Sequence, residues 1–442
     1  MSIINKQART ALWGALLMTS ALTSPAVAYG PEGMFGGRLN PDSTIALDNP
    51  VQIDTRPQRA QSVLQHPRPD YDPVPITIGS FELFPSVEAG YAYDSNIFAE
   101  HSNGRDDHIA TLRPAASVFS NWNRHAIAAT AFGDLNFYKS HQNENFNNFV
   151  TGIEGRYDIM PETWLSTRLG YQHLAEPRSS PNAVSGSEPT TFNVANGGLT
   201  AYRGIGKVKV GADYDLKRFI YNDTPASLGL IDNSHRDRTT HEIGPRVVYD
   251  LTENLKPYIK GHYNWRVYDN NHTRQSEGYD AVVGATADFG GITSADLFVG
   301  WMSQDFKNFT LDNKTNDALK IGGRLEWNVT GLTTLVLEAD RTIEETTIDN
   351  FNSFVATGGS ATLTHELRRN ILLEGNFAFT RDDYNGLGSR EDDNIETGAG
   401  VRWLINRYLY SDLVYSYNKR MSDEEASDFS RHLVALRIGA QM

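Results

Sequence analysis

Charged side chains recur at alternate positions in three stretches of this 442-residue sequence. Lys207, Lys209, Asp213 and Asp215 alternate with Val208, Val210, Ala212 and Tyr214. Lys256, Lys260 and Arg266 share a face opposite Leu255, Ile259 and Val267, and Lys320, Arg324 and Glu326 share one opposite Leu319, Ile321 and Trp327. Glu338, Asp340 and Glu374 fall in similar company. Successive side chains of an extended strand point to opposite faces, so each stretch has one apolar and one charged side. Charges of mixed sign spread over several strands can simply wet an aqueous lumen, or they can form a lane for an anionic or hydroxyl-rich polymer. Both readings stay open. Catalysis is not expected, because no G-x-S-x-G, H-E-x-x-H, P-loop or dinucleotide fingerprint occurs. His262 and His365 lie among polar or mixed neighbours and read as lumen or rim histidines rather than bases. The acidic clusters Asp106-Asp107-His108, Asp382-Asp383, Asp392-Asp393 and Asp423-Glu424-Glu425 could offer oxygens to Ca²⁺ or Mg²⁺. They lack fixed ligand spacing and read as solvated external loops, so neither a metal nor a cofactor is expected.

The elements that must position these charges are strands. From about residue 80 to residue 442 the period-two unit repeats about eighteen times, good to about two. Its connections alternate in length. Short ones fall near Trp122-Asn123, Met160-Pro161, Gly290-Gly291 and Arg368-Arg369; long ones cover 95–106, 177–189, 221–235 and 307–313. Outer-membrane barrels have short periplasmic turns, longer external loops and an even strand number. Trp122, Trp327 and Trp403 stand on apolar faces near the short turns, as a periplasmic aromatic girdle would, and Trp164 lies near the same level. A sheet in hydrocarbon must close, because an open edge leaves N–H and C=O groups unpaired. The predicted fold is therefore an all-β, transmembrane, antiparallel up-and-down β-barrel of about 18 strands with a Pro-rich N-terminal extension. The first strand, within 81–98, must close against residues 432–442. Outer-membrane lipid is the expected surround, so a lysine at Val208, on the apolar face, is expected to impair assembly.

Composition sets the rest. The chain carries a net charge of −14, which argues against nucleic acid as a partner, and no Cys, which excludes disulfides and a lipid-bearing cysteine. Residues 1–28 have the basic start, apolar stretch and Ala26-Val27-Ala28 site of a secretory signal. The expected location is the outer membrane of a Gram-negative bacterium. Residues 29–79 hold eight prolines and little periodic hydrophobicity, which suits either an extended periplasmic arm or a plug folded into the pore. Residues 80–442 make the barrel, and the terminal apolar face through Met442 suits recognition by the barrel-assembly machinery, although an aromatic end would suit it better.

Phe84-Pro85-Ser86-Val87, Gly90-Tyr91 and Asp94-Ser95-Asn96-Ile97-Phe98, followed by Leu112-Arg113-Pro114, Trp122 and Gly155-Arg156-Tyr157-Asp158, resemble the opening of a family of outer-membrane β-barrel porins. Members of that family accompany capsule and exopolysaccharide biosynthesis genes. The resemblance implies an exit pore for a polysaccharide, acting with a periplasmic polysaccharide-export protein. It supplies no catalytic residues, and 94–98 reads equally as a loop anchor or a binding site. The same barrel would serve a general or substrate-selective uptake porin for small solutes.

Overall fold

The computed structural model describes residues 61–227, 229–307, 315–348 and 350–442. The expected signal segment, most of the Pro-rich stretch and most of the loop at 307–313 lie outside the described residues. Twenty-one strands follow in order: β1 (Ile76–Ile78), β2 (Phe81–Asp94), β3 (Asp107–Ser120), β4 (Ala126–Tyr138), β5 (Phe146–Met160), β6 (Thr163–Ala175), β7 (Thr191–Ile205), β8 (Val208–Tyr221), β9 (Thr224–Ala226), β10 (Gly229–Ile231), β11 (Arg238–Tyr249), β12 (Leu255–Tyr268), β13 (Ser276–Phe289), β14 (Thr293–Phe306), β15 (Thr315–Thr330), β16 (Thr333–Glu345), β17 (Phe351–Arg368), β18 (Ile371–Gly386), β19 (Glu391–Leu404), β20 (Leu409–Ser422) and β21 (Phe429–Gln441).

Eighteen of them, β2–β8 and β11–β21, make one antiparallel sheet that closes on itself through β2 and β21, from Ser86↔Gln441 to Asp94↔Leu433. The short β1 pairs with the foot of β2, and β9 with β10 forms a hairpin in an external loop. Residues 161–162, 206–207, 331–332 and 369–370 turn the chain on one side of the barrel, and residues 95–106, 176–190 and 222–237 connect it on the other. Gly206 supplies the left-handed backbone, at φ +60°, that so tight a turn requires.

Alternation decides which side each residue faces. Ile259, Val283, Leu297, Leu413 and Ile438 point outward and are more than half exposed, as residues that meet lipid must be in an isolated chain. Trp122, Trp327 and Trp403 are also exposed on the outside near the short turns. Trp164 is not part of that girdle. It shares the inward parity of Ser166 and Arg168 and stacks on Tyr202 at 5.2 Å between ring centres. Val208 opens β8 beside the periplasmic turn, so it lies near the interface rather than at mid-membrane. His365, also considered a lumen candidate, pairs in register with Thr333 on the outward parity at the periplasmic rim.

The interior has no single core. Small apolar clusters, such as Leu174, Phe192, Val194 and Phe219, alternate with paired charges. The closing seam is fastened by Asp94, which accepts from Arg431 across it, while Ser95 Oγ accepts the His432 N–H and Asn96 Nδ2 donates to Ser430 O.

Candidate functional site in the pore

Twelve of the thirteen charges expected to line the pore face inward. Lys207 does not belong with them: it sits in the exposed turn between β7 and β8, because the strand alternation ends one residue earlier than its parity suggested. Most of the others have partners. Lys209 Nζ lies 2.9 Å from Asp250 Oδ2, and Lys320 Nζ lies 3.9 Å from Asp340 Oδ1. Arg324 is held between Glu338, to which it hydrogen-bonds, and Glu326 at 3.5 Å. Arg266 shares Glu345 with Arg238, at 3.4 and 3.1 Å, so it is part of a half-buried knot and not a free cation. Lumen salt bridges of this kind brace neighbouring strands, and each satisfied pair leaves little charge for a passing solute.

A different arrangement lies on the wall formed by β8, β11, β12 and β13. Arg246 and Lys260 stand directly opposite each other in register, both facing inward, with Lys256 two repeats along the same face, beyond Tyr258. Among the described residues no carboxylate comes within ion-pair distance of any of the three, and Arg246 Nε is buried without a hydrogen-bond partner. Like charges directly opposite on a sheet repel, so the fold has no structural use for this pairing. Alternation along 238–249 places Glu242, Gly244 and Arg246 on the charged face; that signal was present in the sequence, but the stretch was not among the sharp repeats. Above the cations, Asp213, Glu242 and His262 bring one ligand atom each to within 4.8 Å of one another.

Both mouths are narrowed. At the external end the loop 176–190 leaves β6 and crosses to the far wall. Its base is held by Glu176, which accepts from Arg236 at 2.7 and 3.0 Å, and by Arg178 donating to Glu144 at 2.7 Å. Its tip reaches Arg420 of β20, whose Nη2 donates to Ser179 O at 2.8 Å, and Asn182 Oδ1 accepts the Thr347 N–H at 2.9 Å. At the periplasmic end residues 62–72 lie along the inside of β16–β21. Val63, 1% exposed, packs on Leu372 and Val414, and its N–H donates to Thr334 Oγ1 at 2.9 Å. Glu366 accepts from Arg68 Nη2 at 2.8 Å and contacts His66 Nδ1 at 3.2 Å; all three side chains are buried. Burial also pushes the Asp72 carboxyl up to about 6, against the lowering effect of the Arg68 backbone N–H and guanidinium.

The motif residues of the opening strands have structural partners. Arg113 joins Asp134 at 2.8 Å and Glu88 at 3.6 Å, Arg437 joins Glu88 at 3.7 Å, and Arg156 joins Asp158 at 2.8 Å. With Asp94 and Asn96 they fasten the seam and the first turns, so they report the barrel and not its cargo.

Among solved structures, a BenF-like porin from Pseudomonas fluorescens Pf-5 matches 83% of this chain and 100% of its own, at 7% identity and a TM-score of 0.47. Pseudomonas aeruginosa OccK2 (OpdF), in complex with glucuronate, matches 83% of this chain and 99% of its own, at 9% identity and 0.46. Pseudomonas aeruginosa OpdK, with vanillate, matches 81% and 99%, at 10% identity and 0.44. No curated protein matches. Residues 68–442 match the family described as "Putative beta-barrel porin 2". The chain belongs to that family of outer-membrane β-barrel porins.

Proposed function

We propose that the protein is a selective porin that admits small polar solutes carrying an anionic group across the outer membrane. The observation that carries this reading is the register-paired Arg246 and Lys260, with Lys256 further along the same face and, among the described residues, no carboxylate within ion-pair distance of any of the three. A charged face kept unpaired inside a water-filled bore holds its attraction for whatever passes, and lumen charges of this kind tune selectivity. The loop across the external mouth and the segment on the periplasmic wall favour a solute of small cross-section. The test uses vesicles containing the folded protein and two hydroxyl-rich solutes of equal length, gluconate and sorbitol. Gluconate should enter faster through the native barrel, and the combined change Arg246→Gln, Lys256→Gln and Lys260→Gln should remove its advantage. Equal entry in the native barrel would sink the reading.

A second reading, implied by the family resemblance alone, is export of a capsule or exopolysaccharide polymer with a periplasmic export protein as partner. An anionic polysaccharide would meet the same three cations. Deleting the gene separates the two. Loss of polymer from the cell surface supports export, and undiminished polymer leaves small-solute passage.

A further inference from the structure

Most lumen carboxylates described above are matched by an arginine or lysine, but Asp213 and Glu242 are not. Beside them stands His262, whose Nε2 lies 3.6 Å from Glu242 Oε1. The other ring nitrogen, Nδ1, is already engaged by Asp280 of β13 at 3.1 and 3.2 Å. That contact favours the tautomer with hydrogen on Nδ1 and leaves the Nε2 lone pair aimed at the carboxylates. A metal-bound histidine is oriented in the same way, by a carboxylate on its far nitrogen. The strands supply a cradle as well. Gly244 sits between Asp213 and His262, and a Cβ there would overlap Asp213 Oδ2 and come within 2.5 Å of the His262 ring. The missing side chain lets the two donors approach each other over the backbone.

We infer that Asp213, Glu242 and His262 form a site for a divalent transition ion of the zinc class on the lumen wall, with its free side open to the channel. One imidazole and two carboxylates suit such an ion better than Ca²⁺, which prefers an all-oxygen shell. Ligand atoms bound at about 2.1 Å stand closer together than 4.8 Å, so the set must close by about 1 Å. Glu242 is the half-exposed and adjustable member. Three protein ligands leave a coordination position for water or for a solute's own oxygen. A bound ion would also neutralise the carboxylates above Arg246 and Lys260, making the whole wall cationic.

The test uses the untagged full chain folded in detergent, stripped with EDTA and titrated with ZnCl2 by calorimetry. The inference expects one zinc per barrel. Binding should be lost in His262→Gln and in Glu242→Gln, fall about 10–100-fold in Asp280→Asn, and stay unchanged in Asp296→Asn, a lumen carboxylate outside the group. Heat-modifiable migration on a gel certifies that each variant is folded, and Glu242→Gln carries the test should His262→Gln fail. X-ray absorption of the bound zinc should show one nitrogen donor. Absence of zinc binding in the native barrel overturns the inference, as does binding that survives both ligand changes. Binding of CaCl2 without ZnCl2 overturns it too, since it would mark an oxygen-only site.

Discussion

Glu366→Gln should release the segment 62–72 from the inner wall. Glu366 Oε2 accepts from Arg68 at 2.8 Å, and both side chains are almost fully buried. Removing the charge leaves the buried guanidinium with neutral acceptors, the Val63 and His66 carbonyl oxygens at 2.7 and 3.0 Å and the new amide oxygen, and with Asp72 as the carboxylate still acting on it. Breaking one side of a buried ion pair costs about 3–5 kcal/mol. The contacts that remain are of the same size: about 1.5–3 kcal/mol for burying Val63 and about 1 kcal/mol for its bond to Thr334. The docked state should therefore lose its majority. The chain has no cysteine, so a single Ser62→Cys substitution, at a site 1% exposed, reports docking through maleimide labelling. Labelling should rise by about two to three orders of magnitude in Glu366→Gln. Adding Arg68→Gln should restore protection, since removing both charges is far less costly than removing one. If Ser62→Cys in Glu366→Gln is as slow to react as in the parent, the buried pair is not what holds the segment.

Three further outcomes follow from the same structure. Because the docked Asp72 carboxyl titrates near 6 against an ordinary 3.8, protonation favours docking fully below 3.8, and that contribution is lost as pH rises through about 6. Labelling of Ser62→Cys, expressed relative to a free thiol at the same pH, should thus be slower at pH 5 than at pH 7.5, and Asp72→Asn should abolish that relative difference. A lysine in place of the mid-strand, outward Val283 should cut the yield of folded barrel, at about 2–4 kcal/mol, whereas Val208→Lys beside the periplasmic turn should cost about 0–1 kcal/mol. Similar yields for the two would contradict their assigned depths.

The barrel was legible in the sequence because period two, loop lengths and aromatic placement are local signals that agree. Leu255–Tyr268 shows how well this works, since every second residue from Lys256 to Tyr268 faces inward as its parity requires. Partners were not legible. Arg266 and Lys260 have the same charge and parity on one strand, yet Glu345, distant in sequence, neutralises one, while the other has no carboxylate within ion-pair distance among the described residues. The pairing of Arg246 with Lys260 depends on register across β11 and β12, which alternation alone does not set. Docking of 62–72 was hidden for a related reason. Its contacts, Thr334, Glu366, Leu372, Val414 and Gln441, lie some 270 residues or more away, and a proline-rich composition says only that the segment cannot form a core by itself.

The central claim is that unpaired cations on the β11–β12 wall select for anions, and the reversal potential of single channels in a planar bilayer under a KCl gradient tests it most directly. The native barrel should show a reversal potential of the sign set by chloride, moving toward zero or beyond when Arg246, Lys256 and Lys260 are all changed to Gln. A potassium-selective native channel, or selectivity that the triple change leaves untouched, would contradict it.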